Sequence, residues 1–366
     1  MECSEKPVWT DFTKEALRTL QITAPNEKVR RQVQKNWDMV AKPLDGMGSF
    51  ETLTAQIGAI QGTDQMDISK KAVIIMCADN GIVEEGISQS GQEVTAAVAE
   101  EMVRRESSVC KMAAIIGADI FPVDIGINRT EPIPGMVQKK VRCGTRNFRK
   151  EPAMTEEETV RAILAGIDMV AECKCTGYSI VATGEMGIGN TTTSSAVTAA
   201  LLRCAAEKVT GRGAGLSDEK LVHKQQVIAD AIGKYDLHEA DAFEVLKMVG
   251  GLDIAGLTGV CIGGALFHIP VVLDGVISLA AALLAERLVP GVKAYLLPSH
   301  KGKEPAVTML LQKLELEPVI DGRLALGEGT GAVMMLALLD MTMSVYGNRT
   351  TFADIQVEQY QRYADK

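Results

Sequence analysis

Aromatic side chains are scarce: Phe, Trp and Tyr make up 4% of 366 residues, against 34 glycines. A core with so few rings must be filled by small and branched side chains at close approach, which favours α/β architecture. Paired cysteines are also missing. The eight cysteines (3, 77, 110, 143, 173, 175, 204 and 261) form no C-x-x-C pair and mostly fall in apolar runs. They are expected as free thiols in a reducing compartment. The four histidines (223, 238, 268 and 300) share no ligand spacing with one another or with the cysteines, so no zinc site is read. Positive charge is in deficit: the formal net charge of −9 argues against nucleic-acid binding and leaves small anions open. Met1–Trp9 is polar and carries Glu2, Glu5 and Lys6, so no signal peptide is read there. The longest apolar stretch, Ile254–Val289, is cut by His268, Pro270 and Asp274. Its pieces are shorter than the roughly 20 residues that span a bilayer. The expected location is the cytoplasm.

Three segments at the start, Trp9–Leu20, Asn26–Leu44 and Phe50–Gln61, carry helix-spaced apolar positions between charged ones. Ala72–Ala78 (AVIIMCA) follows, an uninterrupted apolar run of the kind buried on both faces of a parallel sheet. It ends at Asp79-Asn80-Gly81. Helices are predicted at Val94–Arg105, Val109–Ile116 and Thr155–Lys174, the last opening on the capping-box pattern Thr155-x-x-Glu158. Strands are predicted at Asp119–Asp124, Val137–Arg142, Pro270–Leu273 and Ala294–Leu297. Further helices are read at Asp218–Gly233, Ala240–Val249, Asp253–Phe267, Ser278–Leu288, Lys303–Leu314, Ala332–Tyr346 and Thr351–Tyr363. Strand, glycine turn and helix recur near residues 79, 126, 184 and 273–278. That alternation predicts a mainly parallel sheet with right-handed crossovers.

One stretch organises the rest. Tyr178–Ala182 is an apolar run, and Gly184, Gly187 and Gly189 follow within six positions. Then come Asn190, a hydroxyl cluster from Thr191 to Ser195, and the apolar Ala196–Leu202. A glycine turn opening a helix presents free N–H groups to an anion such as phosphate. The spacing is G-x-x-G-x-G, and Asn190 stands where a P-loop needs its lysine, so a P-loop NTPase is excluded. Glu185 lies inside this turn, an odd neighbour for a phosphate. A second glycine-flanked carboxylate, Glu328, sits in Gly327-Glu328-Gly329 just before a helix, the placement of a general base held tight against a substrate. The residues leave two readings for Asp79 and Asp124: facing a shared crevice, or capping turns. Lys224 and Arg212, near the glycine loop 211–215, are either phosphate partners or solvated cations.

Several ordered motifs carry a family resemblance. GEMGIGNTT at 184–192, GGLDIAGLTGV at 250–260, PVVLDG at 270–275, PSH at 298–300 and LGEGTGA at 326–332 together resemble nicotinate-nucleotide–dimethylbenzimidazole phosphoribosyltransferases. ADNG at 78–81, VDIGI at 123–127 and EPIPG at 131–135 fit the same pattern in the same order. The resemblance runs from about residue 10 to the C-terminus. It implies a Rossmann-like, mainly parallel α/β sheet with a small helical domain from the two chain ends. The division expected is 1–61 helical, 62–302 the large domain, and 303–366 completing the small one.

The implied reaction moves phosphoribosyl from nicotinate mononucleotide to an aromatic base. It inverts a β-nucleotide to an α-ribotide and releases nicotinate, in cobamide synthesis. By the same resemblance, Glu328 is the general base and Glu185 lies near the ribose, where positive charge develops. Gly187, Gly189, Asn190, Thr191, Gly213 and Lys224 hold the 5′-phosphate. Gly327, Gly329, Asp79, Ser90 and Val98 complete the substrate contacts. No cofactor and no metal is implied. The partners are the two small substrates and a second subunit, identical or a paralogue, with neither nucleic acid nor membrane. Two departures stand out. Gly302, in SHKGKEPA, replaces a usual serine, and Val98 aligns with a base-contacting glutamine, which points to a phenolic or unusual benzimidazole acceptor. The rival readings are a non-catalytic or weakly active paralogue supporting an active partner, and a hydrolase that cleaves the nucleotide with water.

Overall fold

The computed structural model describes residues 12–362. In chain order the elements are α1 (Lys14–Thr19), α2 (Glu27–Met39), α3 (Ser49–Gln61), β1 (Lys71–Ala78), α4 (Glu93–Val103), α5 (Ser108–Ile115), β2 (Ala118–Gly126) and β3 (Val137–Gln138). Then follow α6 (Glu156–Cys175), β4 (Ile180–Met186), α7 (Asn190–Leu202), α8 (Asp218–Lys234), α9 (Ala242–Val249) and α10 (Leu252–Leu266). The chain closes with β5 (Val271–Leu273), α11 (Val276–Leu288), β6 (Leu296–Pro298), α12 (Ala306–Leu314) and α13 (Thr330–Gly347).

The six strands lie in the order β3-β2-β1-β4-β5-β6, and every pairing is parallel. Strand order reverses between β1 and β4, so the crevice at the carboxyl ends of these two strands is the topological switch point where such sheets bind ligands. All eight residues of β1 are buried, as its unbroken apolar run requires. Its alternate side chains serve opposite layers. Ala72, Ile74, Met76 and Ala78 join a cluster with α6, α7, α10 and α11. Val73, Ile75 and Cys77 join another with α3, α4, α5 and α13. A third, smaller cluster unites the two ends of the chain: Val33, Trp37, Val40 and Ala55 pack with Tyr346, whose ring centroid lies 5.2 Å from that of Trp37.

Most predicted elements stand, with the ends moved by a few residues. The capping box forms as read, Thr155 accepting the Glu158 N–H and Glu158 accepting the Thr155 N–H. The predicted strand at Ala294–Leu297 shifts to β6, behind a short 3-10 turn. Of Val137–Arg142 only Val137–Gln138 pairs as strand, on the sheet edge. The helix predicted over 351–363 is absent among the described residues. There Asp354 accepts from both the N–H and hydroxyl of Thr351, a local side-chain bond that competes with helix formation. Arg362 then ties the extended tail to Asp38 and Asp45. The thiol expectation holds for six described cysteines and fails at Cys175, which is disulfide-bonded.

One described helix, α13, is long and apolar enough to cross a membrane by length and composition. Half of it is buried: its first turn, 330–333, and then 335, 336, 339, 342 and 346, which follow helical spacing. Ile254–Val289, the stretch considered on sequence, is divided between α10, β5 and α11.

Low aromatic content shows its use where α6 crosses α10. A Cβ at Gly166 would collide with the Gly256 carbonyl oxygen and lie 2.7 Å from the Val260 nitrogen. The two backbones meet only because no side chain separates them. Gly166→Ala is expected to lower unfolding stability by about 2–4 kcal/mol through overpacking, measured by urea denaturation; an unchanged midpoint would show that the helices part without cost.

Candidate active site

The glycine turn after β4 builds one end of the site. Gly189 has φ 94° and is the N-cap of α7, so it contributes the turn and no side chain. A Cβ at Gly187 would lie 2.8 Å from an Asp253 carboxylate oxygen, which fixes that position as glycine too. The hydroxyl cluster behaves differently from its reading as an anion cradle. Thr193, Ser194 and Ser195 donate back to carbonyls of the preceding turn and are spent inside the helix. Thr191 remains for the site. Its Oγ1 accepts from Lys224 Nζ at 2.9 Å, and Lys224 also donates to the Gly211 carbonyl at 3.2 Å. Lys224 is 1% exposed, and burial lowers its ammonium to about 8, with Glu304 acting against that. Gly213, at φ 52°, brings loop 211–215 against Thr191, and its N–H bonds Glu304 at 3.2 Å. Of the two candidate cations Lys224 faces this corner, whereas Arg212 turns to Asp218 and the Leu216 carbonyl.

The second glycine turn nests against the first. A Cβ at Gly184 would stand 2.6 Å from the Glu328 carbonyl oxygen, and one at Gly327 would stand 2.6 Å from Glu185 Oε1. The backbone of 327–329 therefore lies directly on the end of β4. Glu185 is buried and accepts a hydrogen bond from the Asn190 side-chain amide. Burial pushes its carboxyl well above the usual range, helped by the neighbouring Asp253 and Asp274. Glu328 is less enclosed. Burial raises its carboxyl, opposed by a 3.4 Å hydrogen bond from the Val109 N–H at the start of α5. Asp253 lies beneath, fully buried, with its carboxyl raised by burial to about 7.

A cavity of about 230 Å³ opens between the two turns. Glu185, Gly187, Asn190, Thr191 and Gly213 line it, together with Gly327 and Glu328. Val276, Ile277, Val307, Leu324 and Leu326 supply its apolar lining. Gly189, Gly329 and Lys224 stand immediately behind this lining, in the turns and behind Thr191. Asp79, Ser90 and Val98 do not line it. Asp79 is buried at the end of β1, where it accepts the Asn128 N–H at 2.7 Å and so caps a turn. Asp124 caps likewise, accepting the Ile127 N–H and pairing with Lys140 at 3.1 Å. Ser90 lies in the loop whose Gln89 bonds the Gly215 carbonyl. Val98, on α4, packs against the second core cluster.

The lining residues that the sequence analysis does not single out include Asp274, His300 and Glu304. Asp274 and His300 had a legible signal, since each closely follows a strand, as Asp79 does. Glu304 had none. Among the described residues no group of three His, Cys, Asp or Glu converges to hold a metal ion. The lining combines backbone and hydroxyl groups beside the Lys224 ammonium, two carboxyls and apolar side chains, a set that suits an anion and a flat apolar ring.

A family profile described as phosphoribosyltransferase matches residues 22–357. The nicotinate-nucleotide–dimethylbenzimidazole phosphoribosyltransferase of Acetivibrio thermocellus is 45% identical over 332 residues, covering 90% of this chain and 94% of the relative. The protein of the same name from Clostridium acetobutylicum is 40% identical over 339 residues, covering 93% and 96%. The crystal structure of CobT from Thermus thermophilus superposes with a TM-score of 0.86 at 35% identity, covering 91% of this chain and all of that one. The profile, the relatives and the fold agree, and the chain belongs to the nicotinate-nucleotide–dimethylbenzimidazole phosphoribosyltransferase family.

Proposed function

We propose that this chain transfers phosphoribosyl from nicotinate mononucleotide to 5,6-dimethylbenzimidazole, or to a related benzimidazole or phenolic base, giving an α-ribotide and nicotinate for cobamide synthesis. The observation that carries this reading is the nesting of the Glu185 and Glu328 turns on one cavity, beside an anion corner. The 5′-phosphate sits at Asn190, Thr191 and Gly213, with Lys224 behind. The pyridinium leaves, the ribose carbon gains positive charge, and the acceptor attacks from the opposite face. Glu328 takes the acceptor's proton; its raised carboxyl brings its proton affinity closer to that of the group it must deprotonate. Burial and neighbouring carboxyls hold the Glu185 carboxyl well above its usual range, and cationic character growing on the ribose favours its charged form. The apolar wall of Val276, Ile277, Val307 and Leu324 receives the ring of the acceptor.

The same reading places the protein in the cytoplasm as a dimer, of two copies or of one copy with a paralogue. Met334, Met341 and Val345 form an exposed apolar stripe on α13, the helix whose first turn carries the site. Such a stripe suits a subunit contact.

Incubation with nicotinate mononucleotide and 5,6-dimethylbenzimidazole, or phenol, is expected to release nicotinate only when the acceptor is present. Acceptor-independent release would instead identify a hydrolase, and no release with any acceptor would remove the reading. Glu328→Gln is expected to slow turnover by about 10²–10⁴-fold; unchanged turnover would remove the base assignment. Lys224 supplies a pH dependence. The ammonium is the form that pairs with phosphate, so affinity for nicotinate mononucleotide should fall as pH rises through about 8. Calorimetry should read binding about tenfold weaker at pH 9 than at pH 7, and Lys224→Met should flatten that profile.

A further inference from the structure

Glu328 occupies backbone that most side chains avoid. Gly327, Glu328 and Gly329 have φ of 83°, 61° and 92° in succession. A non-glycine residue stays in the left-handed region only where its surroundings hold it there. The helix that follows cannot do so alone, because its N-cap is Gly329, which has no side chain to satisfy the free N–H groups of the first turn. The missing cap comes from another strand. Asp274, one residue past β5, accepts the Gly329 N–H on Oδ2 at 3.2 Å. Its Oδ1 accepts the N–H groups of Gly331 at 2.8 Å and Ala332 at 3.1 Å. Asp274 is 3% exposed and is itself anchored, its N–H donating to Thr183 Oγ1 at 3.1 Å. A single buried carboxylate thus ties the ends of β4 and β5 to the amide next to Glu328.

We propose that Asp274 is a positioning residue for Glu328: through the Gly329 amide it holds the strained turn that points Glu328 into the cavity, and it faces Glu328 with a like charge. The inference rests on the reading of Glu328 as the base. The groups facing Glu328 are the Val109 N–H from α5, Glu101 from α4, Glu185 from β4 and Asp274, with His300 beyond Asp274. Only the Val109 N–H favours the charged carboxylate. Removing the Asp274 charge therefore eases ionisation of Glu328 and moves the acid limb of the pH profile downward.

Asp274→Asn tests this because it keeps one oxygen for Gly331 and Ala332 and turns an NH₂ toward the Gly329 N–H. The full chain is compared as wild type, Asp274→Asn and Glu328→Gln with nicotinate mononucleotide and 5,6-dimethylbenzimidazole. In Asp274→Asn, amide exchange at Gly329 should accelerate at least about tenfold, while kcat falls about tenfold or more through misplacement of the base. KM for the nucleotide should stay within about threefold, because the phosphate corner is untouched. The acid limb of kcat/KM should move to lower pH, and Glu328→Gln should lack it. Wild-type kcat and Gly329 exchange in Asp274→Asn, or an acid limb that stays or moves up, would overturn the proposal. An acid limb that survives in Glu328→Gln would sink the base reading instead, and Gly329 exchange with the split between kcat and KM would still decide the role of Asp274. If Asp274→Asn does not fold, Asp274→Ser, whose one oxygen can serve a single N–H, is measured in the same way.

Discussion

The site depends on two stretches of backbone lying closer than any side chain would permit. Thr183–Glu185 ends β4, Gly327–Gly329 opens α13, and the glycines at 184, 327 and 329 let the first carry the second. A Cβ at Gly329 would stand 3.1 Å from the Thr183 carbonyl oxygen, so even the least crowded of the three contacts is tight. This contact sets where α13 begins, and therefore where its buried face meets the sheet. It also sets where Tyr346 arrives to pack on Trp37. Catalytic geometry and the joining of the chain ends are thus consequences of one close approach. Methyl groups here would separate the two carboxyls from each other as surely as they would loosen the helix.

Charge in the site is lopsided. Five carboxyls, Glu185, Asp253, Asp274, Glu304 and Glu328, lie in or against the two glycine turns and their surroundings, against one buried ammonium there, that of Lys224 beside Thr191. Burial raises Glu185, Asp253, Asp274 and Glu328 alike, and neighbouring carboxyls add to it at Glu185 and Glu328. Such a site receives a cation readily. In the proposed reaction a pyridinium nucleotide brings its positive charge toward the carboxyls and its phosphate toward Thr191, Gly213 and Lys224. In that proposal the carboxylate that looks misplaced inside a phosphate turn faces the ribose.

What the sequence made legible divides along physical lines. β1 and α7 were plain because their signals are local: an unbroken apolar run, and glycines followed by a helix. Glu185 and Glu328 were picked out by the glycines beside them, which mark backbone in unusual contact. Asp274 was passed over, although it ends a strand beside a glycine, because its partners lie 55 to 58 residues away and no local pattern announces a cap supplied from another strand. The Thr193–Ser195 hydroxyls erred the other way. Their type suited an anion, yet inside a helix such hydroxyls bond back to the preceding carbonyls unless something better reaches them. The helix expected after residue 351 failed for a similar reason, since Asp354 offers Thr351 a nearer partner than the next turn does.

The two halves of the site also differ in how they are assembled. The corner around Thr191 and Lys224 draws β4, α7, loop 211–215 and α8 from residues 180–234, with Glu304 reaching it from farther along the chain. The base end waits for β5, β6 and the start of α13, and its last bond joins residues 274 and 332. Loop closure over such separations must be compensated by what it brings together. Here it brings a carboxylate to three amides that would otherwise be buried without acceptors, so the helix start is stable only when β5 is in place. Glu328 reaches its strained position as part of the same event.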